Sequence, residues 1–121
     1  MAHILIIDDS PTETHILTSI LEKNGFRVSA FPDAQNVVEN VRTVTPDAVL
    51  MDVVMPGISG FQATRKLSKD PSTSAIPVIL VTTKDQETDR IWGMRQGARD
   101  YIVKPVDEEE LMTKIRAVLG G

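Results

Sequence analysis

Five side chains with useful chemistry follow apolar runs of the sequence, each at the point where such a run ends. They are Asp8, Asp9, Asp52, Thr82 and Lys104. Three carboxylates brought within a few ångströms of one another would repel and raise one another's pKa values, so such a cluster needs a cation. Magnesium takes carboxylate, carbonyl and water oxygens, and these positions offer no imidazole or thiolate. The residue types therefore indicate a magnesium site.

The same set of residues suits phosphoryl chemistry. An aspartate can attack a phosphoryl group to give an aspartyl phosphate, a step that depends mainly on positioning and charge neutralisation. Asp52 is the candidate nucleophile because it stands alone, whereas Asp8 and Asp9 form a pair suited to the metal. Lys104 adds a fixed positive charge and Thr82 a neutral hydroxyl, and together they suit a tetrahedral dianion.

Each of these residues also has a simpler structural explanation when it is taken alone. Asp9 could help to cap a helix, Thr82 could be an ordinary strand residue, and Lys104 could be a solvated lysine before a turn. Their joint placement at the ends of apolar runs is what favours a functional site.

The apolar runs have the length of β-strands and are bounded by residues that are typical of turns. We predict five strands, over residues 4–7, 26–31, 48–51, 78–83 and 101–104. The run at 26–31 alternates apolar and polar residues, which indicates a less buried strand at a sheet edge. The others are nearly continuous in apolar residues, as strands buried on both faces are.

Helical spacing of apolar residues predicts a helix after each strand. The first helix begins at a capping box that opens with Ser10, and the second is capped by Asp33 and carries Val37, Val38 and Val41 on one face. The third places its apolar residues three apart from Phe61, the fourth spans 85–96, and the fifth follows a cap at Asp107.

Five strands alternating with five helices predict an α/β fold in which a parallel sheet carries helices on both faces. In such folds the working site lies beyond the carboxyl ends of the strands. This rule brings the five candidate side chains to one edge of the sheet.

Length, composition and charge exclude several classes of protein. The 121 residues fit one compact domain, and the absence of cysteine excludes disulfides and thiolate catalysis. No apolar run approaches the roughly 20 residues that span a bilayer, and the N-terminus lacks a basic leader, so we expect a cytoplasmic protein without membrane insertion. A net charge of −4 argues against direct nucleic-acid binding.

A set of short motifs runs through the whole chain. They are Asp8-Asp9, Met51-Asp52 with Met55-Pro56-Gly57 and Gly60, Val81-Thr82-Thr83, Gly97-Ala98 leading to Asp100-Tyr101, and Lys104-Pro105. In this combination they resemble the response-regulator receiver domains of the CheY type. The resemblance implies a doubly wound, five-stranded parallel sheet of order 2-1-3-4-5 with five helices. It also implies a single receiver domain over residues 1–121 with no output domain.

The resemblance assigns roles to individual residues. Asp52 would be the phosphoacceptor. Asp8 and Asp9 would organise Mg²⁺ together with Asp52 and the backbone carbonyl of Val54. Thr82 and Lys104 would hold the phosphoryl oxygens.

The resemblance also implies a switch and a particular peptide bond. Thr82 and the aromatic Tyr101 would form the switch, and the bond between Lys104 and Pro105 would be cis. Residues Val54 and Lys84 would lie near the path of the attacking water.

The function that the resemblance implies is that of a stand-alone response regulator in a two-component phosphorelay. A sensor histidine kinase or phosphotransfer protein would phosphorylate it, and the face of the fourth helix, fifth strand and fifth helix would then control a downstream protein target. Residues 61–65 and 82–89 are most similar to PilH-type receivers of twitching-motility systems. We expect a monomer that catalyses only its own phosphorylation and dephosphorylation.

Trp92 is the only tryptophan, and two interpretations of it stay open. It could pack the fourth helix, with Ile91 and Met94 as the other apolar residues, against the sheet. Alternatively, Ile91 could serve the core alone, leaving Trp92 and Tyr101 as a partner surface.

The alternative function from another class is a magnesium-dependent phosphohydrolase with an aspartyl-phosphate intermediate. Such an enzyme usually carries a second acid shortly after its nucleophile, whereas Val53 and Val54 follow Asp52 here. Nucleotide binding is disfavoured because the chain has neither a Walker loop nor a G-x-G-x-x-G motif.

Overall fold

A computed structural model of the chain describes residues 1–120 and shows a parallel sheet flanked by helices. The strands are β1 (His3–Ile7), β2 (Arg27–Phe31), β3 (Ala48–Met51), β4 (Val78–Thr82) and β5 (Asp100–Val103). The helices are α1 (Pro11–Lys23), α2 (Val37–Val44), α3 (Gly60–Lys69), α4 (Glu87–Arg95) and α5 (Glu108–Val118). The strand order is β2-β1-β3-β4-β5, which confirms the predicted doubly wound fold and the position of β2 at an edge. None of the helices within residues 1–120 is long and apolar enough to cross a membrane.

Two apolar layers hold the sheet between its helices. In β1, Leu5 and Ile7 face the layer that contains α2 and α3, whereas Ile4 and Ile6 face the layer that contains α1 and α5. Because successive strand residues point to opposite faces, a strand covered on both sides must be apolar at nearly every position. This is why β1, β3 and β4 appear in the sequence as unbroken apolar runs.

The start of α2 differs from the prediction that Asp33 caps it. The helix begins at Val37, and its N-cap is Asn36, which has a φ of 56° and makes no side-chain capping bond. The Asp33 Oδ1 instead accepts a hydrogen bond from the Gln35 amide at 2.9 Å, closing a turn before the helix. Asparagine tolerates this left-handed conformation better than most residues, which allows a tight entry into α2.

The structure corrects the prediction that Ile91 or Trp92 packs α4 against the sheet. Ile91, Trp92 and Met94 are 46%, 52% and 37% exposed, so neither Ile91 nor Trp92 packs the helix into the core. The buried residue of α4 is Gly93. A Cβ added to Gly93 would lie 2.5 Å from Leu80 Cδ1, so the missing side chain is what lets the helix approach the sheet. Helical spacing alone did not reveal that a glycine makes the contact.

Gly60 fixes the chain that follows β3. A Cβ at this position would overlap the backbone carbonyl oxygen of Asp52, and the Gly60 amide donates to the Val53 carbonyl at 2.9 Å. Helix α3 therefore begins in direct backbone contact with the end of β3. Any side chain at Gly60 must push these two segments apart.

We expect Gly60→Ala to destabilise the domain by about 3 kcal/mol or more, because backbone cannot move aside as a flexible side chain can. Gly25→Ala is the matched control. Gly25 has a φ of +89° with no atom near the added Cβ, so only the backbone conformation costs free energy, about 1 kcal/mol. Urea unfolding of both variants measures the difference, and equal losses would contradict the steric account.

Candidate functional site

Three carboxylates converge at the carboxyl end of the sheet, as the sequence predicted. Oxygens of Asp8, Asp9 and Asp52 lie within 4.8 Å of one another. Asp8 and Asp52 are buried, being 4% and 8% exposed, whereas Asp9 is open to solvent. The Lys104 ammonium joins the two buried acids, at 2.9 Å from Asp8 Oδ2 and 3.2 Å from Asp52 Oδ2.

Asp8 is held between β1 and the beginning of α1. Its backbone amide donates to the Phe31 carbonyl of β2 at 3.2 Å. Its Oδ1 accepts from the Ser10 amide at 2.9 Å, while its other oxygen meets Lys104. Ser10 in turn caps α1 by accepting from the Glu13 amide. The capping turn thus fixes the helix and the carboxylate together.

Asp52 is held by backbone on both sides. Its amide donates to the Ile7 carbonyl at 2.9 Å, continuing the pairing of β3 with β1. Its Oδ1 accepts from the Val53 amide at 2.7 Å, and its Oδ2 accepts from Lys104. The carboxylate is therefore fixed by one neutral and one charged donor.

Lys104 stays charged in this environment. Burial alone would lower its pKa, but the hydrogen bond to Asp8 and the negative charge of Asp52 outweigh that effect and raise the pKa above its ordinary value. The peptide bond from Lys104 to Pro105 is cis. The lysine side chain is only 6% exposed, so its charge acts on the carboxylates with little screening by water.

Thr82 and Tyr101 both bond to the backbone of Lys84, which lies in the loop between β4 and α4. The Lys84 amide donates to Thr82 Oγ1 at 3.3 Å, and the Tyr101 hydroxyl donates to the Lys84 carbonyl at 2.7 Å. The sequence predicted both residues as a switch but gave no sign of this link. Any residue can supply a backbone amide or carbonyl, so the type of residue 84 does not predict that it connects Thr82 to Tyr101.

Tyr101 does not contribute surface in this conformation. Its ring is 4% exposed and belongs to the core layer with Leu80, so the prediction that it forms a partner surface does not hold for this state. Trp92, in contrast, is exposed on α4. Val54, the residue whose carbonyl was predicted as a metal ligand, is 61% exposed and lies beyond the end of β3.

Lys114 is a neighbour of the switch that the sequence analysis did not single out. Its ammonium donates to the Tyr101 carbonyl at 2.9 Å and lies 3.4 Å from Asp100 and 3.2 Å from Glu110. It therefore ties α5 to β5 beside the aromatic ring. The four-residue spacing from Glu110 was the signal available in the sequence.

The charges of the cluster favour a divalent cation. Three carboxylates against one ammonium leave two net negative charges in a small volume. Carboxylate oxygens without competing nitrogen or sulfur ligands suit magnesium better than a softer metal. The residues present therefore fit the ion that the sequence predicted.

Comparisons with known proteins agree with this geometry. Residues 4–116 match the family described as response regulator receiver domain. The chain is 63% identical to Protein PilH of Pseudomonas aeruginosa over 121 residues, covering 100% of each chain.

Two solved structures share the fold along nearly the whole chain. A putative response regulator from Chloroflexus aurantiacus has a TM-score of 0.94 at 28% identity, with 99% of this chain and 98% of that chain covered. The receiver domain of a sensor histidine kinase from Pseudomonas aeruginosa has a TM-score of 0.90 at 28% identity, with the same coverage of 99% and 98%. That domain was solved with a magnesium ion coordinated in its active-site cleft.

Tyr101 is the only tyrosine, so its ionisation can be followed directly. Burial, with the negative charges of Asp89, Asp52 and Asp85, raises its pKa to about 12. We expect tyrosinate absorbance after a rapid pH jump to show that midpoint in the folded protein and about 10 in denaturant.

The raised pKa of Tyr101 also determines how the stability of the domain changes with pH. Between pH 10 and 12 the unfolded chain releases a proton that the folded chain keeps, so the free energy of unfolding should fall as the pH rises through that window. Tyr101→Phe should remove this part of the pH dependence. A folded-state midpoint near the ordinary value would contradict the buried position of the hydroxyl.

Proposed function

The chain belongs to the response regulator receiver family, and we propose that it works as a stand-alone switch phosphorylated on Asp52. The observation that carries this proposal is the Asp52 carboxylate, fixed by Lys104 and the Val53 amide beside Asp8 and Asp9. A nucleophile of this kind needs positioning and charge neutralisation more than activation by a base.

Mg²⁺ is the cofactor of the proposed reaction, and Asp8, Asp9 and Asp52 would hold it together with the Val54 carbonyl. When bound, it supplies positive charge for the carboxylates and the phosphoryl oxygens. The net charge of the cluster and its all-oxygen ligands support this assignment, as does the magnesium of the related kinase receiver domain.

In the proposed step, an Asp52 oxygen forms a bond to the phosphorus of a phosphohistidine on the donor protein. The phosphorus–nitrogen bond breaks, and the electron pair returns to the imidazole ring, which takes up a proton from solvent. Lys104 and Thr82 hold the phosphoryl oxygens as charge is redistributed. Hydrolysis by water later restores the carboxylate and releases inorganic phosphate.

The switch follows from the hydrogen bonds at Lys84. A phosphoryl group on Asp52 adds about −1.5 to −2 charges and three acceptors, towards which the Thr82 hydroxyl is drawn. Moving Thr82 weakens its bond from the Lys84 amide, and the carbonyl of the same residue accepts the bond from the Tyr101 hydroxyl. We infer that Tyr101 and the loop before α4 rearrange together, which alters the face formed by α4, β5 and α5.

The partners in this proposal are a sensor histidine kinase or phosphotransfer protein upstream and a protein target downstream. Likeness to PilH over the full chain supports a place in twitching-motility signalling. The proposed regulator is a cytoplasmic monomer with a single domain. Exposed Trp92 on α4 is our candidate anchor for the downstream target.

We further propose that the domain catalyses only its own phosphorylation and dephosphorylation and does not turn over phosphate esters. The residues after Asp52 are Val53, whose amide binds the carboxylate, and Val54, which cannot transfer a proton. Steady release of phosphate from small phosphate esters, with many turnovers per protein molecule, would contradict this proposal and favour a phosphohydrolase.

Asp52→Ala should abolish phosphate incorporation from acetyl phosphate and magnesium, because no other carboxylate here is both positioned by Lys104 and placed at the end of β3. Asp47→Ala is the matched control, since Asp47 precedes the same strand at its opposite end. We expect the control to incorporate phosphate like the wild type, and chelation of magnesium to stop both. Equal incorporation by the Asp52 variant would overturn the assignment.

Beryllium fluoride, which mimics a phosphoryl group, should report the switch without turnover. With magnesium it should shift the NMR signals of the Lys84 amide and the Tyr101 ring, because the hydrogen bonds of the Lys84 amide and of the Lys84 carbonyl both change. The Thr82→Ala variant should lose the shift at Tyr101 while Asp52 still binds the mimic. Identical Tyr101 shifts in both proteins would show that Thr82 does not transmit the change.

A further inference from the structure

Helices α2 and α3 border a groove on a different part of the surface from α4. Two adjoining clefts make up the groove, of about 780 and 560 Å³, and Val38 and Lys66 line both. The two volumes together exceed the roughly 300–1,000 Å³ of a small-molecule pocket, which suits a segment of another protein. No part of the proposed phosphoryl chemistry uses the side chains of this groove.

One wall of the groove is strongly basic. Helix α3 contains Arg65, Lys66 and Lys69 and has no acidic residue. All three side chains are exposed, and within residues 1–120 none of them lies within 4.0 Å of a carboxylate. Asp70 also lines the smaller cleft, but its carboxylate lies 3.8 Å from the Arg42 guanidinium. The chain as a whole carries a net charge of −4, so three cations that form no ion pair with a described carboxylate give a local field of the opposite sign.

The floor of the groove is apolar. Val38 on α2 and Ile58 in the loop after β3 are half-buried, and both line the larger cleft. Ile58 belongs to the segment that connects Asp52 to α3. An occupant of the groove would therefore touch the loop that leaves the proposed phosphoacceptor.

We propose that the groove between α2 and α3 is a docking site for an acidic amphipathic helix of a partner protein. Its carboxylates would meet Arg65, Lys66 and Lys69, and its apolar face would lie on Val38 and Ile58. Helices commonly bind in this way, with an apolar face in a groove and charges along the rim. The combination of a basic wall and an apolar floor is what selects this occupant.

A nucleic acid fits the same surface less well. Phosphate binders normally present a wider basic stripe with aromatic side chains for stacking. Here the opposite rim carries Asp33 and Glu39, and the groove contains no aromatic residue. Acidic side chains on the far rim would repel a phosphate backbone, which is charged along its whole length, whereas an amphipathic helix can present its carboxylates to α3 alone.

The test uses the full chain and a stapled helical peptide with glutamates along one face and leucines along the other. In an NMR titration at low salt, we expect amide shifts confined to α2, α3 and the loop before α3. Affinity should fall as salt is added, because the rim contacts are exposed charges. Val38→Ala should weaken binding while leaving the salt dependence unchanged, since it removes apolar contact only.

Charge reversal provides the matched comparison. The triple variant Arg65→Glu, Lys66→Glu, Lys69→Glu should bind the peptide at least about tenfold more weakly. A control triple reverses Arg95, Arg99 and Arg116, which are exposed cations outside the groove, and should bind within about twofold of the wild type. Thermal unfolding checks that both triples remain folded. The Asp52→Ala variant should bind normally, which separates this proposal from that of phosphorylation.

Three outcomes of the peptide experiment would overturn the proposal. They are the absence of peptide binding by the wild type, shifts that map outside the groove, and equal weakening by both triple variants. A labelled DNA duplex is the remaining arm of the test. If it binds more tightly than the peptide and loses affinity in the α3 triple, the surface is a nucleic-acid site and the helix-docking proposal is wrong.

Discussion

The Lys104 ammonium between Asp8 and Asp52 is the interaction on which the rest of the site depends. Its bonds of 2.9 and 3.2 Å join residues that are 96 and 52 positions apart in the chain. Both acids are buried, so each would be costly without a partner. Breaking a buried pair of this kind typically destabilises a protein by about 3–5 kcal/mol, because it leaves charge unpaired. The lysine thus holds the ends of β1, β3 and β5 in one arrangement.

The same arrangement suits the proposed reaction at Asp52. A single lysine cannot neutralise three carboxylates, so the pocket retains negative charge that suits magnesium. Asp52 is fixed at one oxygen by the Val53 amide and at the other by the Lys104 ammonium. Gly60 packs against the Asp52 carbonyl, so the backbone of α3 also limits where the carboxylate can lie. Folding and function use the same contacts here, and substitutions around Asp52 should affect both.

In the proposed switch, phosphorylation of Asp52 would act on the surface through the hydrogen bonds of Thr82 and Tyr101. Thr82 bonds to the Lys84 amide and Tyr101 to the Lys84 carbonyl, and the ring of Tyr101 lies beneath Gly93 of α4. Because a glycine makes this contact, α4 is held with little buried apolar area, and Trp92 is left on the surface. A helix attached in this way can respond to a change at Tyr101 more readily than one anchored by large side chains.

The sequence predicted the parts of this structure that depend on side-chain type. Apolar runs located the strands, and the polar residues after them located Asp8, Asp52 and Lys104, because parallel strands end at a common edge. The orientation of α4 was not predictable in the same way, since Gly93 makes the contact by having no side chain. The cap of α2 was mispredicted because Asp33 serves a turn, and Asn36 adopts a backbone conformation that residue patterns do not specify. Hydrogen bonds to the Lys84 and Val53 backbone are likewise invisible to residue type.

The most direct test of phosphorylation on Asp52 is to locate the phosphoryl group on the chain. Borohydride reduces an aspartyl phosphate to homoserine, and peptide mass spectrometry then identifies the modified position. After treatment with magnesium and acetyl phosphate, we expect homoserine at position 52 alone. Modification at Asp8 or Asp9 instead, or the absence of any reduced aspartate in protein that has incorporated phosphate, would contradict it.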